Sequence, residues 1–499
     1  SPTPGRGWDL RLAANYFTTD GFRPHSEANR GAANLRLGWS GERDTLSIAY
    51  VHFDQPSDDP LGLTRALFED DPDQVVPQAR LFRTRKVARQ DQIGLTWRRE
   101  FPAGTPLDGS AVTAYYGRRS VTQWQSIPVA AQAPPTHPGG VIDFDRDYFG
   151  LDARTVWRWT LAGGRNAELV TGAAFEQAAE DRGGFENFMG APPNRRLGVT
   201  GARRRDERNR VYTTDLYAQG EIEVVPRWVA TLGARGGAVG FRSNDRFVTP
   251  DNPDDSGSLH FGYVNPVAAL QWRASPALHL HLSAGCGFES PTFGELAYRP
   301  DGQPGLNREL EAQTSRQLEF GAKWRPRALA LELDAALFSA RTHDEIGVAT
   351  SLGGRASFQN VGRTTRHGAE LSADWAIHPR VHAGLALTWL YARYDDSPAA
   401  APNVRAGNRI AGTSPFRAFA ELAWRPGASP ASELAIEWLA QGRTAVDDRN
   451  SDFAEAWYTL ALRARHHRPH PPGRGPRDRG DHRHGAARRD RPARAARHV

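Results

Sequence analysis

The sequence has a single cysteine, Cys286, among its 499 residues, so no disulfide can form within the chain. It also has no apolar run of the roughly 18 residues that a membrane-spanning helix needs. The nucleophile elbow G-x-S-x-G and the phosphate-binding P-loop are both missing. Because these motifs mark the common hydrolase and nucleotide-binding classes, we predict that the chain is not an enzyme.

Lysine is nearly absent, since Lys86 and Lys323 are the only two, whereas arginine is abundant. Residues 465–499 alone hold eleven arginines and three aspartates, and the rest of the chain is close to neutral. A near-neutral body gives no nucleic-acid footprint, so nucleic acid is not an expected partner. We predict residues 465–499 to be a disordered Arg/His/Pro-rich tail, read in a shifted frame, although its histidines also allow a metal-binding alternative.

Short turns with a nearby tryptophan recur eight times in residues 1–464, and nine long polar loops alternate with them. Indole rings prefer the membrane–water interface. Short turns on one rim, long loops on the other and an aromatic girdle are typical of an outer-membrane β-barrel. A soluble all-β protein is the alternative. The tryptophans beside the turns are Trp39, Trp97, Trp159, Trp228, Trp272, Trp324, Trp375 and Trp424.

Period-two alternation supports strands rather than helices. In Leu329–Leu337, Glu332 and Asp334 alternate with leucines, and these acids would be costly in a packed core but not in a watery lumen. The pattern predicts an all-β, transmembrane antiparallel β-barrel. The predicted strands are 8–17, 32–40, 44–53, 90–100, 110–124, 145–161, 167–180, 208–224, 228–243, 259–273, 278–288, 315–325, 329–342, 364–376, 381–394, 415–425, 431–442 and 455–463.

Two stretches of the C-terminal half carry a more specific pattern. The first, residues 285–321, reads GCGFESPTFGELAYRPDGQPG and then LNRELEAQTSRQLEFG. The second reads QNVG at 359–362 and RHGAEL at 366–371, and GNRIAG follows at 407–412. Together these motifs resemble the TonB-dependent outer-membrane receptors, the siderophore-receptor branch in particular.

This resemblance implies a 22-stranded barrel around an N-terminal plug. The sequence offers about eighteen strands, begins at Ser1 and shows neither a plug nor its TonB box. We therefore expect residues 1–464 to be a partial barrel that is not competent for transport alone. The resemblance also implies import of a scarce chelated nutrient, most of all a ferric siderophore, with energy from the TonB complex. The expected partners are this chelate, outer-membrane lipid and, in the intact parent, TonB; no resident cofactor is expected.

Ligand capture is expected near strand ends on the loop side, where arginine can pair with anionic oxygens and aromatic rings can stack. The candidate ligand-binding residues are Arg85, Arg118, Arg119, Trp124 and Gln125. His279 and His281 share a strand face, which allows a metal site, but a polar lumen wall is the favoured interpretation. No metal or catalytic residue is therefore predicted.

Two other functions remain open at this point. A passive outer-membrane porin would use the same strand pattern, and conductance of the intact parent would separate it from a plugged receptor. A soluble or surface-attached β-binding module would partition into buffer rather than detergent.

Overall fold

A computed structural model describes residues 7–303, 305–352, 355–427 and 432–466. The described residues form twenty-four strands. The first twelve are β1 (Gly7–Thr19), β2 (Ala28–Ser40), β3 (Asp44–Asp58), β4 (Arg85–Glu100), β5 (Leu107–Trp124), β6 (Val141–Thr160), β7 (Asn166–Phe185), β8 (Phe188–Met189), β9 (Arg196–Leu197), β10 (Arg203–Val225), β11 (Trp228–Asp245) and β12 (Gly257–Arg273). The others are β13 (Leu278–Glu289), β14 (Gln313–Trp324), β15 (Leu331–His343), β16 (Ile346–Leu352), β17 (Arg355–Asn360), β18 (Thr364–His378), β19 (Val381–Tyr394), β20 (Phe416–Trp424), β21 (Ser432–Gln441), β22 (Thr444–Ala445), β23 (Phe453–Ala454) and β24 (Trp457–His466).

Helices are few and short in these residues, and all but one lie in the long loops. None of the described helices is long and apolar enough to cross a membrane. They are α1 (Arg65–Asp70), α2 (Pro77–Leu81), α3 (Phe293–Leu296) and two 3₁₀ turns, Val129–Gln132 and Arg327–Leu329.

Eighteen long strands form one antiparallel sheet in which each strand pairs with the next long strand along the chain. The short pairs β8–β9, β16–β17 and β22–β23 lie in loops. Every one of the eighteen predicted strands overlaps one long strand, so the predicted all-β architecture is confirmed. Within the described ranges no ladder joins β24 with β1, and the sheet has two free edges.

The two faces of the sheet differ in chemistry. On the outer face, Leu216, Leu232 and Val264 are 67%, 67% and 70% exposed. Aliphatic side chains this exposed are unfavourable in water, and a barrel solves the problem by turning this face to lipid. The inner face carries polar networks instead; for example, the Tyr115 hydroxyl donates to Glu176 over 2.7 Å. This is the alternation that the sequence predicts.

The last strand, β24, continues to His466 and so passes residue 464, the last residue before the predicted tail. Arg465 lies opposite Glu433 in its ladder with β21. The first two tail residues therefore form strand. The remainder of the predicted tail, residues 467–499, lies outside the described residues.

The hydrophobic clusters lie beneath the loops rather than in a central core. In one, Phe293 and Leu296 of α3 pack against Val239 and Phe241 of β11. A capping box between Thr292 and Glu295 fixes the start of α3. This cluster anchors the β13–β14 loop over the inner face, and the residue that follows α3 by two positions is Tyr298.

Candidate functional site

A cavity of about 460 Å³ lies among the loops at the upper ends of the strands. We call it the Tyr298 pocket. Its wall combines the β5–β6 loop, the start of β10, the loop after β11, the segment after α3 and the β16–β17 hairpin. Its titratable lining residues include His137, Arg204, Arg205, Glu207, Asp255, Tyr298 and Arg355.

Three guanidinium groups surround the Tyr298 ring. The guanidinium carbon lies 4.6 Å from the ring centre for Arg355, 5.5 Å for Arg205 and 5.8 Å for Arg182. Arg182 also donates to the phenol oxygen over 3.3 Å. Burial raises the pKa of the Tyr298 phenol, but the charges of Arg182, Arg355 and Arg205 outweigh it and lower this pKa to about 7.

Arg355 differs from the other arginines of the pocket. Arg204 pairs with Glu186 at 3.1 Å, and Arg205 pairs with Glu207. Arg355 instead donates to the carbonyl of Gly139 over 2.7 Å, and its Nη1 lies 3.0 Å from Nε2 of His137. No carboxylate forms an ion pair with Arg355 in the part of the chain that the structure describes, and its buried Nε has no hydrogen-bond partner there.

Two other titratable residues of the pocket, His137 and Asp255, have shifted pKa values. Burial, and then the charges of Arg355 and Arg204, lower the pKa of His137 to about 4, so this ring is neutral near pH 7. Burial and the nearby acids Asp245 and Glu207 raise the pKa of Asp255, another lining residue, to about 6. The pocket thus contains one partly buried guanidinium, that of Arg355, which pairs with no carboxylate of the described residues. Such a group can bind an anionic oxygen, in bidentate geometry where the ligand allows it.

A comparison with protein families identifies the family to which the barrel belongs. The family model described as "TonB dependent receptor-like, beta-barrel" matches residues 7–470. The chain belongs to the TonB-dependent receptor family. Receptors of this family are outer-membrane proteins of Gram-negative bacteria, and this TonB-dependent receptor is located in that membrane.

Solved structures share the fold at low identity. The unliganded ferric citrate transporter FecA matches with a TM-score of 0.72 and 14% identity, over 93% of this receptor and 66% of FecA. The siderophore receptor PiuA from Acinetobacter baumannii gives 0.71 and 14%, over 93% and 72%. The copper transporter OprC gives 0.69 and 13%, over 91% and 67%. This receptor chain therefore spans about two thirds of the length of FecA.

The five candidate residues from the sequence lie outside the Tyr298 pocket. Arg85 and Trp124 are brought together, with the guanidinium carbon 3.7 Å from the indole centre, and Trp124 donates to Thr200 over 3.2 Å. Gln125 is buried behind them, where its backbone N–H donates to Gly140 over 2.9 Å.

Arg118 and Arg119 are adjacent in β5 and so point to opposite faces of the sheet. Arg118 lies on the outer face, where it pairs with Asp145 at 3.6 Å. Arg119 lies on the inner face near Gln90, at 3.5 Å. Of the two, only Arg119 faces the side from which a ligand in the lumen would arrive.

The sequence reasoning missed Tyr298 and Arg355, which carry the pocket. Tyr298 lies inside the motif-bearing stretch 285–321, and a run of three arginines begins at Arg203. These two signals were available. The sequence does not show that these residues lie close together, because their proximity depends on how three separate loops fold over the inner face.

Proposed function

We propose that this receptor imports an anionic metal chelate, most of all a ferric siderophore, with energy from the TonB complex. The observation that carries the proposal is Arg355, a partly buried cation without a carboxylate partner among the described residues, set beside Tyr298 at the loop end of a TonB-dependent barrel. A chelate with exposed carboxylate or catecholate oxygens would supply the acceptor oxygens that no carboxylate of the described residues gives to Arg355. Transport changes no covalent bond, so we propose no enzymatic activity.

The residues proposed from the sequence would act below and beside this first contact. Arg119 would contact a ligand that has passed into the lumen. Arg85 and Trp124 form a stacked pair that can order the loop between them and Thr200. Gln125 would support this loop. Arg118 lies on the outer face, so it would not contact a ligand in the lumen and would affect binding only indirectly.

The first experiment measures binding of ferric citrate, which is anionic, and of a neutral ferric trihydroxamate to the detergent-purified chain. Charge-assisted hydrogen bonds contribute about 1.5–3 kcal/mol, so Arg355→Ala should weaken ferric citrate binding by roughly ten- to a hundredfold. The neutral chelate should respond much less. Arg299→Ala is the control, because Arg299 already pairs with Asp301 at 2.6 Å. Equal ferric citrate affinity in the Arg355→Ala chain would overturn the pocket assignment.

A second experiment addresses energy coupling and the porin alternative. Uptake of radioactive iron by cells that make the full-length receptor should stop when a protonophore collapses the inner-membrane gradient. A passive porin needs no such energy, and its uptake would continue. Family membership does not favour the porin alternative.

A further inference from the structure

A second cluster of arginines lies on the outer face of the sheet. Arg210 of β10 and Arg242 of β11 are directly opposite each other in the ladder, and Ser258 of β12 is the next residue across. Residues that oppose each other in a ladder share a face, and like charges in this position destabilise the pair. Arg308, from the β13–β14 loop, lines a groove together with Arg242 and donates to the carbonyl of Ser256 over 2.8 Å. We call Arg210, Arg242 and Arg308 the outer arginine site.

No acid balances these three arginines. Arg242 and Arg308 line a groove of about 540 Å³ whose other walls carry no carboxylate. Its polar lining residues are Tyr212, Ser243, Asn244, Ser256, Ser258 and His260. Over the described ranges, none of Arg210, Arg242 and Arg308 forms an ion pair. Neighbouring arginines differ in this respect, because Arg208 and Arg246, a few residues away, both pair with Asp181.

The depth of the site follows from strand geometry. Trp272 marks the turn-side rim, and it lies twelve residues after His260 along the same outward row of β12. At about 3.3 Å per residue and a tilt of about 40°, the row spans roughly 30 Å, close to the apolar thickness of a bilayer. The outward residues between them are uncharged: Gly262, Val264, Pro266, Ala268 and Leu270.

The row beyond His260 is therefore at the level of lipid headgroups. Tyr212 and His260 lie at the edge of the apolar band, with the phenol oxygen 3.4 Å from Nδ1 of His260. Arg242 and Ser258 come one outward position later. Because long loops mark the extracellular side of such barrels, these headgroups belong to the outer leaflet.

We propose that the outer arginine site binds the phosphate headgroup of a phosphorylated lipid of the outer leaflet. A phosphate between Arg210 and Arg242 would relieve their mutual repulsion and could accept from both guanidinium forks. Arg308 lines the same groove, and the hydroxyl of Ser258 offers a further donor. The lipid's acyl chains would lie along the apolar rows below. This proposal is independent of the transported ligand and of the Tyr298 pocket.

The test measures binding of three probes to the full chain in a zwitterionic detergent: bisphosphorylated lipid A, the same lipid after phosphatase treatment, and inorganic phosphate. An arginine near an anionic lipid surface contributes roughly a fivefold change in affinity. We expect Arg210→Gln/Arg242→Gln to weaken lipid A binding on the order of twentyfold. The single variant Arg308→Gln, in a loop, should weaken it by about fivefold and guards against misfolding of the double variant.

The matched control is Arg11→Gln/Arg36→Gln. Arg11 and Arg36 are also directly opposite each other, in the β1–β2 ladder, but they lie on the inner face because Leu10 and Leu37 of the next row face outward. This control should leave lipid A binding unchanged. Equal affinity for the dephosphorylated lipid would show apolar association alone and overturn the proposal. Inorganic phosphate that competes as well as lipid A would also overturn it, because the site would then bind a free anion rather than a headgroup.

Discussion

Tyr148 lies across Gly117, its direct partner in the β5–β6 ladder, so closely that a Cβ atom at Gly117 would overlap the phenol ring. Two positions away the arrangement is reversed, and Tyr115 covers Gly150 in the same way. Tyr148 then donates to Gln92 of β4 over 2.9 Å. Each tyrosine thus crosses a glycine to reach the strand beyond, which binds neighbouring strands together on the inner face.

Replacing Gly117 by alanine should therefore destabilise the sheet. The added methyl group has no room unless Tyr148 moves and gives up Gln92, and overpacking of this kind costs about 1–3 kcal/mol. Gly94→Ala is the control, because the nearest atom to a Cβ there, the Cβ of Tyr115, is 3.8 Å away. Urea unfolding in detergent, followed by tryptophan fluorescence, measures both. Equal midpoints for the two variants would contradict the crossing-tyrosine interpretation.

The strands could be predicted from the sequence because a membrane barrel imposes period-two alternation along every strand. β19 has the predicted bounds, 381–394. The ends on the loop side were less accurate: β10 begins at Arg203 rather than at residue 208. Its first residues are charged on both faces, since they stand above the lipid, and alternation therefore gives no signal there.

The Tyr298 pocket could not be predicted in the same way. Tyr298 and Arg355 belong to different loops, and His137 to a third, so their contact depends on loop packing rather than on a local repeat. The sequence places arginines at strand ends but cannot tell which of them already have a carboxylate partner. Arg118 illustrates this, because its partner Asp145 becomes visible only once the β5–β6 register is known.

The Tyr298 phenol should make the stability of the loops depend on pH. Its pKa is about 7 in the folded chain and near 10 when unfolded, so between these values the unfolded chain binds more protons. Stability therefore rises with pH across this window and is lost as the pH falls through 7. His137 acts in the same direction at lower pH, since its folded pKa of about 4 lies below its ordinary value.

Tyrosinate absorbance in a pH titration of the folded chain measures the phenol directly. A transition near pH 7 should appear and should vanish in Tyr298→Phe. Tyr458→Phe, which removes an exposed phenol from β24, is the control and should retain the transition. If Tyr298→Phe leaves the titration unchanged, the arginines do not hold this phenol as a phenolate.

The tryptophan girdle contains one stacked pair that should be stronger than its other members. Trp228 and Trp272 are direct partners in the β11–β12 ladder, with ring centres 5.4 Å apart and planes within 8°. Aromatic pairs add about 0.5–1.5 kcal/mol beyond the area they bury. Trp272→Leu should therefore cost about 1 kcal/mol more than Trp324→Leu, whose indole is 37% exposed against 39% for Trp272. Unfolding in urea compares them, and equal losses would rule out a contribution from stacking.

Arg463 should hold the last described strand in place. From β24 it reaches three glutamates of β20 and β21: Glu437 at 2.7 Å, Glu421 at 2.5 Å and Glu433 at 3.2 Å. Arg463→Gln leaves three carboxylates close together without this cation. Because the groups are partly exposed, we expect a cost of about 1 kcal/mol, or roughly fivefold faster hydrogen exchange of the β24 amides. Arg465→Gln is the control, since Arg465 forms no ion pair among the residues that the structure describes. Mass spectrometry after deuterium labelling reads both variants, and identical exchange in β24 would show that the backbone ladder with β21 holds this strand without Arg463.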